Sequence, residues 1–200
     1  MISVIIPTLN AERDLVPTLA ALVPGVTGGV LRDVILADGG SNDDTAAIAD
    51  AAGCVLLAGE RDVGARLRQG AAQGRGRWLL FLGTGSVLEE GWVREVGTFM
   101  EMAERRDLAA RAAATFRLSR DGYGVAPRIA DAMSALRLAM LGRPHPGQGL
   151  LIAKPHYDRL GGHPAGDAAE RRFIGRLGRS IHVLRAQVRM LGTRSDAGGL

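Results

Sequence analysis

The sequence predicts an α/β fold in which a mostly parallel central sheet is covered by helices on both faces. Three observations support this prediction. Short apolar runs alternate with segments of helical periodicity through the first half of the 200-residue chain. Three of these runs are almost wholly apolar, which is typical of parallel strands buried on both faces. Hydrophobic residues make up 46% of the sequence, enough to form a sizeable core.

Strands and helices alternate in the first half of the chain. Pro17 is expected in the first turn of the first helix, where its missing N–H costs little. Ser41 and Asp44 have the spacing of a capping box for the second helix. The predicted strands cover residues 2–6, 33–37, 55–57 and 78–82, and the helices that follow them cover residues 15–22, 42–52, 63–73 and 92–103.

The second half of the chain has a less regular pattern. It predicts strands over residues 113–118, 149–153 and 181–188, and helices over residues 128–141 and 167–177. The sequence shows neither an internal repeat nor a linker, so we expect one domain over residues 1–192. The small and polar residues 193–200 are expected to form a frayed tail.

Composition restricts the classes of function. The net charge is +4 and Lys154 is the only lysine, so arginine carries nearly all the positive charge. Two interpretations stay open: affinity for phosphorylated ligands, which arginine binds bidentately, or the codon bias of a GC-rich genome. Scattered arginines and 4% aromatic residues argue against a nucleic-acid partner. Cys54 is the only cysteine, which excludes an internal disulfide and gives no zinc signature.

The sequence also suggests a location. No apolar run approaches the roughly 20 residues that span a bilayer. The first predicted strand begins at Ile2 and leaves no room for a signal peptide. We therefore expect a cytoplasmic protein, either free or peripheral to the inner face of the membrane.

Three loops are candidates for a ligand site, because ligands of open α/β sheets bind beyond the carboxyl ends of the strands. They cover residues 7–10, 38–44 and 83–86. Asp38 directly follows a buried strand, where a carboxylate can accept the N–H of uracil or guanine. The structural alternative is a loop aspartate that only caps Ser41 or Asn42. The first loop lacks the Gly-x-Gly-x-x-Gly turn of dinucleotide enzymes, and the chain has no Walker loop.

The sequences of the first two loops resemble those of family-2 glycosyltransferases. Residues 2–10 read Ile-Ser-Val-Ile-Ile-Pro-Thr-Leu-Asn, and residues 37–43 read Ala-Asp-Gly-Gly-Ser-Asn-Asp. The chain is similar to the small soluble bacterial members of that family again at residues 64–72, 147–150 and 160–164. The resemblance covers most of residues 1–190. It implies the GT-A nucleotide-diphospho-sugar transferase fold, a three-layer α/β/α sandwich in which residues 1–90 bind the nucleotide and residues 91–192 the acceptor.

The resemblance also implies a donor site. Pro7, Thr8 and Asp38 match the positions that hold the base and ribose of a UDP-, GDP- or dTDP-sugar. The same loops supply three further predicted contacts to the donor: Asn10, Thr84 and Ser86. Gln148, in the loop over residues 144–149, matches the acceptor pocket.

Three acidic positions of the family are missing. Its strand-four loop carries an Asp-x-Asp motif that binds Mg²⁺ or Mn²⁺, and the last Asp falls on Gly85. Its later Glu-Asp pair falls on Gly166-Asp167, and its Gly-Asp-Gln-Gly segment falls on residues 146–149. We therefore expect no metal held by the protein and no cofactor, with Mg²⁺ or Mn²⁺ arriving only on the nucleotide.

An inverting transferase also needs a base and a counter-charge for the departing diphosphate. The resemblance makes Asp167 the base, and its structural alternative is the N-cap of the helix ending at residue 177. Arg66 and Arg68 are the predicted counter-charges, against the alternative of solvent-facing arginines. Their spacing of two puts them on different faces, so we expect at most one to point inward. Arg61 lies on the same segment before the fourth strand, and His145 and His163 are weaker candidates for the same role.

Two functions remain open. The first is a glycosyltransferase, inverting and with weak or no metal dependence, acting on an unknown acceptor. Arg137 and Arg143, on and after the predicted helix over residues 128–141, allow a membrane-resting helix and a lipid-linked acceptor, against the alternative of a core helix. The second function is a degenerate, inactive transferase that binds a nucleotide or a partner. A nucleotidyltransferase would need metal-binding carboxylates even more.

Overall fold

The computed structural model describes residues 1–120 and 145–191. The strands in these residues are β1 (Ile2–Thr8), β2 (Leu31–Asp38), β3 (Val55–Leu57), β4 (Trp78–Phe81), β5 (Ser86–Leu88), β6 (Ala113–Arg120), β7 (Leu150–Ala153) and β8 (Ile181–Met190). The helices are α1 (Glu12–Ala20), α2 (Val23–Thr27), α3 (Thr45–Ala51), α4 (Val63–Gln73), α5 (Trp92–Arg105), α6 (Lys154–Arg159) and α7 (Ala169–Leu177). The predicted helix over residues 128–141, with Arg137 and Arg143, and the predicted tail lie outside the described residues.

The strands form one sheet in the order β3-β2-β1-β4-β7-β6-β8-β5. The first four strands in this order are parallel to one another. In the second half, β7 is antiparallel to β4 and β6, β8 is parallel to β6, and β5 is antiparallel to β8. The predicted α/β fold with a mostly parallel sheet is confirmed, with antiparallel strands in the second half of the chain.

Helices cover both faces of the sheet. On one face, Val4 and Leu80 of the sheet pack in a core with Trp92 of α5. On the other face, Ile5 packs in a second core with Leu67 of α4 and Phe173 of α7. Adjacent residues of β1 therefore point into different cores, as strand geometry requires. Burial of both faces explains why the strand sequences are nearly continuous in apolar residues.

Two local predictions were wrong. The second helix begins at Thr45, and its N-cap Asp44 makes no side-chain capping bond, so the predicted capping box does not form. Ser41 instead bonds to Asp38, which keeps residues 39–44 in a loop. Pro17 lies in the middle of α1 and not in its first turn. The short elements α2, β5 and α6 were not predicted.

The carboxyl ends of β1, β2 and β4 meet at one edge of the sheet, together with the amino end of α4. Leu150 of β7 pairs with Phe81, the last residue of β4. This pairing brings the 3₁₀ turn Pro146–Gln148 to the same edge. The candidate site is built there. No helix among the described residues is long and apolar enough to cross a membrane.

Candidate functional site

The carboxylate of Asp38 joins the first two loops. Its Oδ1 accepts hydrogen bonds from Thr8 Oγ1 at 2.9 Å and Ser41 Oγ at 2.5 Å. Its Oδ2 accepts from the backbone N–H groups of Gly40 and Ser41, each at 2.8 Å. Burial alone would raise the pKa of Asp38, but these bonds from Ser41, Thr8 and Gly40 outweigh it and hold the pKa below its usual value. Asp38 is therefore an anion at neutral pH.

These bonds bear on the predicted role of Asp38. The side chain is 4% exposed and accepts four hydrogen bonds, about the full capacity of a carboxylate. The structural alternative, a loop aspartate that caps Ser41, describes this arrangement well. A direct contact to a nucleobase requires one of the four bonds to be exchanged, and that contact stays a prediction.

Asn10 links the same two loops on the solvent side. Its backbone N–H donates to Ser41 Oγ at 2.8 Å, and its Oδ1 accepts from the backbone N–H of Asn42 at 2.9 Å. Asn10 has a φ of 49°, in the left-handed region that asparagine tolerates better than most residues. Pro7 is half-buried in β1, and Leu9 between them is 57% exposed. Leu9 is an exposed apolar side chain beside Gly39 that sequence reasoning did not single out.

Arg66 of α4 points into this edge. The residue is only 7% exposed, so the alternative of a solvent-facing arginine was wrong for it. Its guanidinium lies against Gly39, where a Cβ would collide with Nη1. Its Nε is buried with no hydrogen-bond partner among the described residues. A buried cation with an unsatisfied donor, beside the loop after β2, is suited to receive an anionic ligand.

Arg68 has a different position. Its Nη1 donates to the carbonyl of His163, so it fastens α4 to the loop before α7. The expectation that at most one of the two arginines points inward agrees with these positions.

Asp62 strengthens the same junction between α4 and the loop before α7, because its carboxylate accepts from the N–H of Ala65 at 2.7 Å and of Gly166 at 2.5 Å. These two bonds are the main reason that the pKa of Asp62 is lowered.

His163 cannot act as a counter-charge, so that prediction was wrong. The ring is 1% exposed and packs against Phe81 and Phe173. Desolvation, with a smaller contribution from the charges of two nearby arginines, lowers the pKa of His163 to about 3. Tyr157 shares a hydrogen bond of 2.9 Å with Nδ1, and desolvation raises the pKa of its own hydroxyl to about 12. Both groups are neutral at physiological pH.

The loop after β4 offers backbone and hydroxyl groups. Gly85 has a φ of +77°, and its N–H donates to Thr18 Oγ1 at 2.9 Å. Thr84 is half-buried, whereas Ser86 is fully buried and donates to the carbonyl of Gly147 at 3.3 Å. Ser86 thus has no exposed surface for a ligand and serves to hold the loop.

The described residues do not fit a metal of the kind that the family uses. Gly85 provides no carboxylate, and the side chain beside it is that of Asp14, 3.7 Å from where its Cβ would lie. The described part of the chain contains no group of three or more His, Cys, Asp or Glu side chains placed to hold an ion. Hard cations at phosphate sites normally take carboxylate oxygens, and weak or absent metal dependence stays a prediction.

The turn at residues 146–148 contains Gln148, which is 2% exposed. Its Nε2 donates to the carbonyl of Phe116 at 2.9 Å, and its Oε1 accepts from the N–H of His145 at 2.6 Å. Both the oxygen and the nitrogen of the Gln148 amide are therefore hydrogen-bonded within the protein. His145 is exposed, and its Nδ1 accepts from the N–H of Gly147 at 3.1 Å. Arg61, the remaining candidate from the sequence, is also exposed.

The start of α7 carries two carboxylates. Asp167 is exposed in the preceding turn, and the N-cap of α7 is Ala168, so the N-cap alternative for Asp167 was wrong. Glu170 in the first turn is half-buried, and desolvation raises its pKa to about 7, although the charge of Arg66 acts to lower it. Sequence reasoning missed Glu170. The available signal was that it is the only acidic residue of an arginine-rich helix.

Comparisons with known proteins agree with the fold. The sequence profile of "Glycosyl transferase family 2" matches residues 3–121. A search of curated proteins found no match.

Solved structures share the fold. TarS 1–349 of S. aureus has a TM-score of 0.66 and 16% identity, with 94% of this chain and 60% of that one covered. A mycobacterial protein has a TM-score of 0.66 and 22% identity, with 98% of this chain and 69% of that one covered. Glucosyl-3-phosphoglycerate synthase from Mycobacterium tuberculosis, in complex with Mn²⁺ and UDP-glucose, has a TM-score of 0.65 and 21% identity. The match covers 98% of this chain and 72% of that one. The chain thus spans about 60% of the length of the TarS structure.

Proposed function

The chain belongs to glycosyl transferase family 2 and has its GT-A fold, and on that premise we propose that it transfers a sugar from a nucleoside diphosphate to an acceptor hydroxyl. We further propose that the transfer inverts the anomeric carbon and depends weakly or not at all on a divalent metal. One observation carries the proposal: the buried, incompletely satisfied guanidinium of Arg66 beside the Asp38-Gly39 loop.

The base and ribose of the donor are assigned to the first two loops. The hydrogen bonds of Thr8 and Asn10 to the second loop make this surface rigid. The exposed side chain of Leu9 can cover one face of a base, and Asp38 can exchange one of its four bonds for a base N–H. UDP is the nucleotide to test first, because TarS and glucosyl-3-phosphoglycerate synthase have both been crystallised with it.

Arg66 is assigned to the diphosphate. The bond between the sugar and the β-phosphate breaks with its electron pair on the phosphate, so negative charge grows there in the transition state. A preorganised cation in a site that excludes water stabilises that charge strongly. Arginine suits this role because its fork matches two phosphate oxygens at once. Arg68 holds the loop before α7 and acts only through that loop.

The acceptor is assigned to the space between the turn at residues 146–148 and the start of α7. Asp167 is the predicted base there by family likeness, and it is exposed at the end of the turn. A lipid-linked acceptor and peripheral membrane contact rest on residues 128–141, outside the described part of the chain. These remain predictions, as does the cytoplasmic location.

A specific observation favours a second candidate function. The loop at Gly85 lacks the carboxylate of the family's metal site, and the described residues supply no replacement cluster. A protein that binds the nucleotide without turning over a donor would have this appearance. It would differ from an enzyme in one measurable respect, the absence of UDP release.

A ligand screen tests both functions. The wild-type protein is titrated calorimetrically with UDP, GDP and dTDP, in EDTA and in Mn²⁺, and UDP release is then followed from UDP-glucose and UDP-N-acetylglucosamine. We expect one nucleotide to bind in EDTA and its sugar derivative to be turned over slowly with water as acceptor. Binding without release supports the inactive candidate, and no binding of any nucleotide would refute both.

A further inference from the structure

Asp62 accepts two hydrogen bonds that serve different parts of the fold. It is the N-cap of α4, and its Oδ1 accepts from the backbone N–H of Ala65 at 2.7 Å, within the same helix. Its Oδ2 accepts from the backbone N–H of Gly166 at 2.5 Å, across 104 positions of sequence. The first bond stabilises the start of α4, and the second holds the residue that immediately precedes Asp167.

The second bond accounts for an aspartate at this N-cap position. Serine and asparagine cap helices about as well as aspartate does, but each has a single side-chain oxygen. Both oxygens of Asp62 accept a backbone N–H. These two bonds lower the pKa of Asp62, so the carboxylate is ionised at neutral pH and both bonds are charge-assisted. The bond to Gly166 therefore requires a carboxylate, whereas the helix cap does not.

Two further contacts fasten the loop before α7 to α4. Arg68 donates to the carbonyl of His163, at the start of that loop. Gly64 approaches the carbonyl of Pro164 too closely to carry a side chain. Together with the bond to Gly166, these contacts hold the loop against the first two turns of α4 at three points.

The same two turns of α4 also face the donor side of the site. Arg66 lies on them, and its guanidinium lies against Gly39 in the loop after β2. On the other side, Asp167 directly follows the loop that α4 holds, and its side chain is exposed. The ion pairs among the described residues do not include Asp167, so its backbone sets its position. The helix thus connects the predicted diphosphate contact with the predicted base.

We propose that Asp62 is a positioning residue for the transfer: through Gly166 it holds Asp167 at a fixed place relative to Arg66, in a role that rests on the proposed function above. A base takes a proton only within hydrogen-bond reach, and a displacement of about 1 Å can slow such a step by orders of magnitude. Nucleotide binding is assigned to Arg66 and the first two loops, which the bond to Gly166 does not touch. Loss of that bond should therefore lower kcat and leave nucleotide affinity unchanged.

The first test needs no activity. Asp62→Ser keeps one oxygen for the cap at Ala65 and removes the acceptor for Gly166. Amide hydrogen exchange of the ¹⁵N-labelled protein is followed by NMR in the wild type and in this variant. We expect exchange at Gly166 to become at least about tenfold faster and exchange at Ala65 to change less than about threefold. Unchanged exchange at Gly166 would overturn the proposal, because the loop would then not depend on Asp62.

The second test separates kcat from affinity. UDP affinity is measured by calorimetry, and UDP release from UDP-glucose and UDP-N-acetylglucosamine by steady-state kinetics. Asp62→Ser should keep UDP affinity and the KM of the donor within about threefold and lose at least about tenfold in kcat. Asp62→Asn, which also has one acceptor oxygen, should behave likewise and is the second variant in case Asp62→Ser does not fold. Asp50→Asn, at an exposed site on α3, is the matched control and should keep all three quantities.

The outcomes separate the two proposals. Failure of the wild type to bind UDP or any donor would refute the proposed function, and the role of Asp62 with it. UDP binding with wild-type kcat in Asp62→Ser, with no turnover of either donor by the wild type, or with UDP affinity and kcat falling together in Asp62→Ser, would refute the positioning role and leave the nucleotide site in place. Wild-type kcat in Asp167→Asn would also refute it, because Asp62 would then have no base to position.

Discussion

Replacing Glu170 by glutamine should stabilise the protein at alkaline pH. Glutamine keeps the size of the side chain and removes its charge. In the folded wild type, burial raises the pKa of Glu170 from its ordinary value of 4.5 to about 7. A raised pKa means that the fold favours the protonated form and that the ionised form costs free energy. The variant avoids that cost.

The sign and size of the effect follow from the raised pKa. The contribution of Glu170 to stability is intact below pH 4.5 and is lost as the pH rises to about 7. A pKa difference of one between the folded and unfolded states corresponds to about 1.4 kcal/mol, so the shift from 4.5 to about 7 gives an upper bound of about 3.4 kcal/mol. Because the side chain is half-buried and solvent screens part of the cost, we expect about 1–3 kcal/mol at pH 8 and none at pH 4.5.

The assay is urea unfolding of the wild type, Glu170→Gln and Glu101→Gln, the same change at an exposed site on α5, at pH 4.5 and pH 8. The difference between variant and wild type isolates Glu170 from other groups. His163 has the opposite dependence, since its lowered pKa makes stability fall as the pH drops below 6.5, but it is present in every protein compared. A Glu170→Gln protein that is no more stable than wild type at pH 8, or equally stabilised at both pH values, would refute the reasoning.

Three further predictions concern the donor site. Asp38→Ala should weaken UDP binding by about 1.5–3 kcal/mol, as for loss of a hydrogen bond to a charged group, and unchanged calorimetric affinity in a folded variant would remove Asp38 from the site. Gly39→Ala should lower UDP affinity, because a Cβ at Gly39 collides with Arg66, and unchanged calorimetric affinity in a folded variant would contradict that geometry. EDTA should change UDP affinity and turnover less than about threefold, whereas a tight calorimetric Mn²⁺ site in the wild type would show that a ligand for the metal has been missed.

The sequence predicted best those features that depend on local pattern. The bounds of β3 and α4 were predicted to the residue, and the three loops meet at one edge because parallel strands end there. The hydrogen bond of Thr8 to Asp38 joins the ends of two strands that are 30 residues apart in sequence, and the family resemblance had assigned both residues to the donor site.

The features that sequence could not supply depend on packing over long distances. Whether Arg66 points inward or Gln148 is buried is decided by neighbours from other elements. The pKa of Glu170 is raised by burial, and the periodicity of the helix sequence does not predict how far that side chain is buried in the fold. The antiparallel strands of the second half follow from pairings such as that of β4 with β7. In Gly85→Asp, a φ of +77° and the neighbouring Asp14 would oppose the new side chain.

Calorimetric titration of UDP in EDTA against Arg66→Gln tests the central claim, that a buried arginine receives the diphosphate. Arg66→Lys keeps the positive charge but loses the bidentate geometry of the guanidinium, and it provides a second variant in case Arg66→Gln does not fold. Arg105→Gln, at an exposed position of α5, is the matched control. We predict UDP binding by the wild type and by Arg105→Gln, binding at least about tenfold weaker by Arg66→Gln, and an intermediate affinity for Arg66→Lys. Equal affinity of wild type and a folded Arg66→Gln protein would contradict the claim.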